Sequence, residues 1–256
     1  MLRVHMSAAG AVVIRGTREP VVSGSGRTGS YGCTDLTTCG AGSGFVQSLR
    51  QAQGIQSRAA AKGENQRVKI QPVPNIAGAI LFEPSPHTDE RGFFSRTFDA
   101  DVFRSAGLDP AAFVQDSVSR SIRGVIRGMH VRRGLGEAKL VRCSFGAVFD
   151  VIVDLRRASP TYGNWESFEL TGETQASLYV PAGCAHGFQA LTDPADVSYR
   201  IDRAHDPADD VAIAFDDPEL AIPWPLPPTV ISRRDQRALS LTAAANLLPS
   251  AGALAR

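Results

Sequence analysis

The sequence predicts an all-β fold, a sandwich or barrel of short strands, between residues 68 and 240. Short runs rich in β-branched or alternating apolar residues recur from Val68 onward, among them VKIQPV, AILFEP and SLYVPAG. Turn-forming stretches such as SPTYGN and TDPAD separate these runs. The clearest helical segment is DADVFRSAG, in which an aspartate N-cap and a final glycine predict a short helix over 100–106. Many short strands with few helices are typical of a β-sandwich or β-barrel.

Both ends of the chain differ in composition from this central domain. Residues 1–67 include SGSGRTGSYGCTDLTTCGAGSG, which is rich in Gly, Ser and Thr and has little apolar periodicity. This composition predicts a disordered or low-complexity extension without a catalytic role, with at most a short helix over 45–61. After residue 240 we expect a C-terminal tail, although the segment 235–248 is compatible with a helix.

The composition excludes several functional classes. The formal net charge of +1 creates no field that would recruit nucleic acid or a membrane surface. No apolar run approaches the roughly 20 residues that cross a bilayer, and the N-terminus has no signal-peptide pattern. The four cysteines form no CxxC pair, and we expect Cys143 and Cys184 to be buried core thiols. We therefore expect a cytoplasmic protein without nucleic-acid or membrane partners.

Two of the five histidines occur in unusual surroundings. His130 follows RGVIRGM, a segment with two glycines and two arginines, and His186 lies in VPAGCAHGF, between a proline–glycine turn and another glycine. A single histidine near a strand end is usually a hydrogen-bonded structural residue. The position of both histidines near strand ends, with arginine and lysine close in sequence to His130, also fits a catalytic role, and at this point both interpretations remain open.

A metal site is one alternative for these residues. Cupin-type barrels bind metal through a His-x-His pair, a later glutamate and a second histidine. The chain offers His130, Glu137 and His186, but Arg132 stands where the pair needs its second histidine. A guanidinium has no lone pair to donate, and its charge opposes a divalent cation. A barrel without metal is therefore the favoured interpretation.

Basic residues cluster along the first half of the domain. They are Arg91, Arg96, Arg120, Arg123, Arg127, Arg132, Arg133 and Lys139. We expect most of them, Arg132 and Arg133 included, to lie on a solvated face. Arg127 differs because it lies between two glycines, where the backbone permits a ligand to approach closely. An arginine in that position would suit phosphate oxygens, as in a pyrophosphate-bearing substrate.

Six blocks of sequence together resemble the dTDP-4-dehydrorhamnose 3,5-epimerase family over most of residues 68–237. In order they are DERGFFSRTFD (89–99), QDSVSRSIRGVIRGMH (115–130), KLVRCSFGAVFDVIVDLRRASPTYGNW (139–165), LYVPAGCAHGF (178–188), Tyr199 and DDPELAIPWP (216–225). The resemblance implies a double-stranded β-helix, which is a cupin-like jelly-roll barrel. It also implies a mechanism free of metal and cofactor, a nucleotide-sugar substrate and a homodimer.

The resemblance also implies roles for individual residues. His130 would be the general base and Asp235 the carboxylate that orients it, while Tyr199 would be the proton donor and Lys139 would lie beside the substrate carbonyl. These residue types suit proton abstraction and return next to a ketone, with an enolate between the two steps. The resemblance further implies a substrate-binding set. This set consists of Arg91, Arg96, Gln115, Ser117, Arg127, His186 and Asp210.

Several positions depart from the family pattern. The family often has glutamate where Arg96 stands, asparagine where Ser117 stands and glutamine where Arg132 stands, and Ala204 and His205 replace aromatic residues. These departures affect nucleotide recognition more than acid–base chemistry. The sequence thus predicts an epimerase of a nucleotide-linked 4-keto-6-deoxyhexose and leaves single and double epimerisation open. A catalytically idle barrel that binds a sugar nucleotide is the alternative.

Overall fold

The computed structural model describes residues 2–6, 12–16 and 68–248, which form fifteen strands and two short α-helices. The strands are β1 Leu2–Met6, β2 Val12–Gly16, β3 Lys69–Pro72, β4 Ile80–Glu83, β5 His87–Asp89, β6 Gly92–Phe94, β7 Gln115–Ser121, β8 Ile126–Arg132, β9 Lys139–Phe145, β10 Ala147–Asp154, β11 Trp165–Thr171, β12 Ser177–Val180, β13 Cys184–Ala190, β14 Ala195–Ile201 and β15 Asp210–Ala212. The α-helices are α1 Ala100–Ser105 and α2 Leu241–Ala245, and single 3-10 turns occupy Pro110–Ala112, Pro207–Asp209 and Asp235–Arg237.

Two antiparallel sheets form the barrel. Sheet A has the strand order β1-β2-β11-β10-β13-β8-β15, and sheet B has the order β3-β4-β12-β9-β14-β7. From β7 to β10, and again from β11 to β15, successive strands alternate between the two sheets. This alternation is the double-stranded β-helix that the resemblance implies, so the predicted all-β, cupin-like fold is confirmed. A separate hairpin pairs β5 with β6.

The main hydrophobic core lies between the inner faces of the two sheets. Sheet A contributes Val148, Ile152 and Phe188, while sheet B contributes Val141 and Leu178. Because side chains alternate along a strand, every second residue of these strands points into this core. Burying an aliphatic or aromatic side chain of this size contributes about 1.5–3 kcal/mol, so this core is a main source of stability. Cys143 and Cys184 are free and buried here, as predicted.

The C-terminal segment covers the outer face of sheet A. Leu220, Leu241 and Ala244 pack there against Met129 and Val151 in a second buried cluster. The backbone N–H of Leu241 also donates to Oδ2 of Asp217 at 2.8 Å, which fixes the start of α2. The boundary predicted at residue 240 therefore falls inside a packed segment, because the residues that follow it are part of this cluster.

Helix α1 covers the outer face of sheet B. The side chain of Asp99 accepts hydrogen bonds from the N–H groups of Asp101 and Val102, at 2.9 and 3.3 Å, and so caps the helix. Phe103 is buried beneath the helix and stacks on Phe82 with ring centroids 4.7 Å apart. The helix predicted over 100–106 is thus confirmed.

The N-terminal extension contains two strands. β1 pairs with β2, and β2 adds to the edge of sheet A with Gly16 opposite Trp165. The prediction of disorder is therefore wrong for residues 2–6 and 12–16, where backbone pairing with a sheet edge stabilises strands that composition alone did not reveal. The short helix predicted over 45–61 lies outside the described residues. Among the residues that the structure describes, no helix is long and apolar enough to cross a membrane.

Candidate active site

His130 and His186 lie directly opposite each other on the paired strands β8 and β13. On β8, Met129 and Val131 belong to the cluster on the outer face, so the intervening His130 points toward the space between the sheets. The two strands come unusually close beside this pair. A Cβ atom at Gly128 would lie 2.5 Å from the Cα of Gly187 and 2.8 Å from the carbonyl oxygen of His186. Gly128 therefore permits the two strands to come into close contact.

His130 forms a short hydrogen bond with Asp235. Its Nε2 lies 2.6 Å from Oδ1 of Asp235. The backbone N–H of Asp235 donates to Ser232 Oγ at 3.1 Å, which holds the turn that carries this carboxylate. The carboxylate side chain is 3% exposed and the imidazole 29% exposed. The 3-10 turn Asp235–Arg237 thus presents a buried carboxylate to a histidine that remains open to the site.

The electrostatics favour a neutral His130 beside an ionised Asp235. Burial lowers the pKa of His130 below its ordinary value of 6.5; Asp235 opposes this shift, whereas Arg234 and Lys139 add to it. Burial alone would raise the pKa of Asp235, but the His130 hydrogen bond, Ser232 and Arg234 hold it below its ordinary value. In the neutral imidazole, an Nε2–H that donates to Asp235 leaves a lone pair on Nδ1 to accept a proton.

A second histidine–carboxylate pair lies next to the first. His186 Nε2 is 2.8 Å from Oδ2 of Asp150, and both side chains are buried. Asp150 is on β10 and is fully inaccessible to solvent. Asp150 is a site residue that sequence reasoning did not identify; the available signal was a single carboxylate within AVFDVIV, an otherwise apolar run. Such a buried carboxylate has to be paired, and here it fixes the orientation of the His186 ring.

Four of the predicted residues lie on the inner face of sheet B. Tyr199 is opposite both Val141 and Ser117, and two residues further along β14 Ile201 is opposite both Lys139 and Gln115. Val141 belongs to the inner core, so Tyr199 and Ser117, which are in register with it across the sheet, point to the same face. Lys139 and Gln115 each lie two residues further along their strands and therefore also point to that face. The side chains of Gln115 and Ser117 contact each other, with Nε2 donating to Oγ at 3.3 Å.

Arg132 is buried, and the prediction that it decorates a solvated face is wrong. Its guanidinium lies 3.0 Å from Glu137 and 3.6 Å from Asp210, and it donates to the carbonyl of Ala204 at 2.8 Å. Arg133 is also half-buried and contacts the carbonyl of Ala208. The partners of both arginines come from other strands and loops, so their neighbours in sequence gave no indication of burial.

Asp210 is engaged with cations of the protein itself. Its Oδ2 lies 2.8 Å from Nη1 of Arg234, in addition to the contact with Arg132. Arg234 in turn lies 3.8 Å from Oδ1 of Asp235. The predicted binding residue Asp210 is thus connected to the His130 pair through charged side chains.

Three predicted substrate-binding arginines make their described contacts with other residues of the chain. Arg91 is on the β5–β6 hairpin, where it pairs with Asp89 at 2.5 Å and its side chain is 85% exposed. Arg96 pairs with the helix cap Asp99 at 3.0 Å and lines a shallow hollow beside α1. Arg127 is exposed and donates to Ser121 Oγ at 3.0 Å and to the carbonyl of Arg120 at 3.1 Å. Within this chain, none of these contacts links the three arginines to His130.

The residues of the metal alternative have other partners. His130 and His186 each bond a different carboxylate, and Glu137 lies between Arg132 and Lys139. Within 68–248 and the two N-terminal strands, no group of three His, Cys, Asp or Glu side chains is arranged to hold a metal ion.

Comparison with known proteins identifies the family. The family model for dTDP-4-dehydrorhamnose 3,5-epimerase matches residues 74–243. A dTDP-4-dehydrorhamnose 3,5-epimerase from Methanothermobacter thermautotrophicus is 44% identical over 63% of this chain and 89% of its own length. A dTDP-4-dehydrorhamnose 3-epimerase from Streptomyces niveus is 41% identical over 72% of this chain and 89% of its own length.

Solved structures agree with this result. A dTDP-6-deoxy-D-glucose-3,5-epimerase from Legionella pneumophila, in complex with dTDP-4-keto-L-rhamnose, superposes with a TM-score of 0.66. It is 37% identical in sequence, and the match covers 73% of this chain and 98% of the Legionella chain. The chain therefore belongs to the dTDP-4-dehydrorhamnose 3,5-epimerase family and is a carbohydrate epimerase, an enzyme of the isomerase class.

Proposed function

We propose that this enzyme epimerises a nucleotide-linked 4-keto-6-deoxyhexose by removing and returning a proton next to the C4 ketone. The observation that carries this proposal is the 2.6 Å contact between His130 and Asp235. A histidine held neutral by burial and fixed by a carboxylate suits a base that works near neutral pH. The names of the relatives supply the sugar and the nucleotide that the proposal takes as substrate.

In the proposed reaction His130 takes the proton from a carbon beside the ketone. The C–H bonding electrons form a carbon–carbon double bond, and the carbonyl π electrons move to O4 to give an enolate. The ammonium of Lys139 stabilises the negative charge that develops on O4; losing such a donor typically costs on the order of 100-fold or more in rate. Tyr199 then donates its phenolic proton to the opposite face of the carbon. The electrons of the carbon–carbon double bond form the new C–H bond, those on O4 re-form the ketone, and the centre is inverted.

The remaining predicted residues would bind the substrate. His186, held by Asp150, lies opposite His130 and would contact the sugar. Gln115 and Ser117 share a face with Tyr199 and would contact the nucleotide side of the ligand. We assign Arg127 to the phosphates because its exposed guanidinium keeps donors free beyond its two contacts within the protein. The proposed chemistry requires no metal or redox cofactor.

We also propose a homodimer formed by strand exchange at the edge of sheet B. Strand β3 is the terminal strand of that sheet and pairs with β4 on one side. An edge strand with unpaired backbone groups is suited to pairing with a second copy. Light scattering should give twice the mass of the 27.2 kDa chain at working concentration, and a monomer would contradict this assignment.

Proton NMR in D2O tests the proposed reaction. The purified protein is incubated with dTDP-4-keto-6-deoxyglucose, and the signals at C3 and C5 are followed with time. We expect deuterium to replace hydrogen at one or both carbons, and the positions that exchange distinguish a 3,5-epimerase from a single-site enzyme. Retention of hydrogen at both carbons would contradict the proposal.

The Tyr199→Phe variant separates an enzyme from an idle barrel that only binds a sugar nucleotide. We expect turnover to be lost while dTDP binding, measured by calorimetry, remains close to wild type. Tyr162→Phe, at a turn outside the barrel face, is the matched control and should keep both properties. If the Tyr199→Phe enzyme turns over substrate as fast as wild type, the assignment of Tyr199 as the proton donor is wrong.

A further inference from the structure

Lys139 is bound to a buried carboxylate that the proposed reaction does not use. Its Nζ lies 3.1 Å from Oε1 of Glu137, and the other oxygen of Glu137 lies 3.0 Å from Nη2 of Arg132. The side chains of Lys139, Glu137 and Arg132 are 12%, 9% and 5% exposed. Glu137 is thus an anion placed between two cations in a site largely closed to water.

Arg132 is itself held on its other side. It donates to the carbonyl oxygen of Ala204 at 2.8 Å and contacts Nδ1 of His205 at 3.0 Å. Asp210, opposite Arg132 on strand β15, lies 3.6 Å from the same guanidinium. These contacts fix the guanidinium relative to strand β15 and to the loop that contains Ala204 and His205. The Glu137 carboxylate therefore has an anchored partner on the side away from Lys139.

This arrangement matters because a lysine side chain is flexible. An ammonium on a four-carbon stem reaches many positions unless a counter-ion holds it. Removing one partner of a buried ion pair leaves an uncompensated charge, which is strongly unfavourable in a dry site. Loss of the Glu137 charge would leave Arg132 and Lys139 as two neighbouring cations that repel each other.

We propose that Glu137, anchored by Arg132, is a positioning residue that holds the Lys139 ammonium where the enolate oxygen forms. This inference rests on the proposed function, because it takes Lys139 to act on the substrate carbonyl. It assigns to Arg132, which stands where the family usually has glutamine, a role in catalysis through Glu137. The effect should be on kcat, since the charge on O4 develops only in the transition state.

The test compares Glu137→Gln, Arg132→Gln and the double variant Arg132→Gln/Glu137→Gln with wild type. We expect Glu137→Gln to lower kcat by about tenfold or more with KM changed by less than about threefold. The double variant should recover part of that loss, because it removes the cation that Glu137→Gln leaves uncompensated. Glu169→Gln, at an exposed position of β11, is the matched control, and thermal unfolding of each protein verifies the fold.

The outcomes separate this inference from the proposed function. Wild type that fails to exchange substrate hydrogen contradicts the proposed function itself. If wild type is active and Glu137→Gln has an unchanged kcat, only the positioning role of Glu137 is overturned. A double variant that recovers none of the kcat lost in Glu137→Gln overturns the same role. If Glu137→Gln does not fold, Glu137→Asp provides the test: it keeps the charge but moves the carboxylate by one methylene. We then expect a lower kcat with unchanged dTDP affinity, and an unchanged kcat would overturn the inference.

Discussion

The imidazole Nε2 of His130 lies 2.6 Å from Oδ1 of Asp235, although the two residues are 105 positions apart in the chain. Strand β8 supplies the histidine, and a 3-10 turn after the barrel supplies the carboxylate. The contact depends on the C-terminal segment packing over the outer face of sheet A, through residues such as Leu220 and Leu241. Packing on the outer face of sheet A thus places the Asp235 carboxylate beside the His130 imidazole.

The pH dependence of kcat/KM should reflect the lowered pKa of His130. Burial disfavours the imidazolium, so His130 remains a free base at pH values where an ordinary histidine, with a pKa of 6.5, is half protonated. We expect the acidic limb of the profile to have its midpoint below pH 6.5. The unfolded chain binds this proton more tightly, so stability should also decrease as pH falls from 6.5 through the folded pKa. A kinetic midpoint above 6.5 would contradict the assignment.

Removing the carboxylate partner of His130 should impair catalysis without unfolding the protein. In Asp235→Asn the imidazole loses the anion that orients it and that favours its protonated form. We expect kcat/KM to fall by about 100-fold or more, with the acidic limb displaced further toward low pH. Asp101→Asn, on the exposed surface of α1, is the control and should behave as wild type. Activity of Asp235→Asn within about twofold of wild type would refute the pairing.

The close approach of β8 and β13 can be tested at Gly128. Its φ of +122° is similar to the +120° of Gly92, but a Cβ at Gly92 would meet no atom within 4 Å, whereas one at Gly128 would meet the β13 backbone. Both alanine variants are strained, and only Gly128→Ala also pushes the strands apart. We expect Gly128→Ala to lose about 2 kcal/mol more than Gly92→Ala in urea unfolding. Equal losses would mean that backbone strain alone is involved.

The two core thiols should be inert in the native protein. Burial raises the pKa of Cys143 to about 11 and that of Cys184 to about 12, so neither forms the reactive thiolate at neutral pH. Treatment with iodoacetamide at pH 8 should leave both unmodified in peptide mass spectra, and the same treatment in urea should alkylate both. Modification of Cys184 in the folded protein would show that the inner core is open to solvent.

Local sequence signals predicted the local structure well. Helix α1 was predicted because its cap, Asp99, and its final glycine are adjacent to it in sequence. The strands of the barrel were predicted from their β-branched residues, and their order followed from the resemblance. By contrast, the strand Val12–Gly16 depends on pairing with β11, which is distant in sequence. The composition of the N-terminal extension therefore did not predict this strand.

The site was predictable in its residue types and less so in its contacts. His130, Asp235, Lys139 and Tyr199 were identified by matching motifs, and the roles that these matches imply remain predictions. The burial of Arg132 was not predictable, because its partners Glu137 and Asp210 reach it from separate elements. Asp150 was not predictable for the same reason, because its role follows from its contact with His186 on the neighbouring strand β13.

Deuterium exchange by His130→Ala tests the central claim most directly. Wild type and variant are incubated in D2O with dTDP-4-keto-6-deoxyglucose, and hydrogen at C3 and C5 is followed by proton NMR. We predict exchange at one or both carbons in wild type and none in His130→Ala, with dTDP binding and thermal stability close to wild type in the variant. Exchange by a folded His130→Ala enzyme within about tenfold of the wild-type rate would contradict the assignment of His130 as the base.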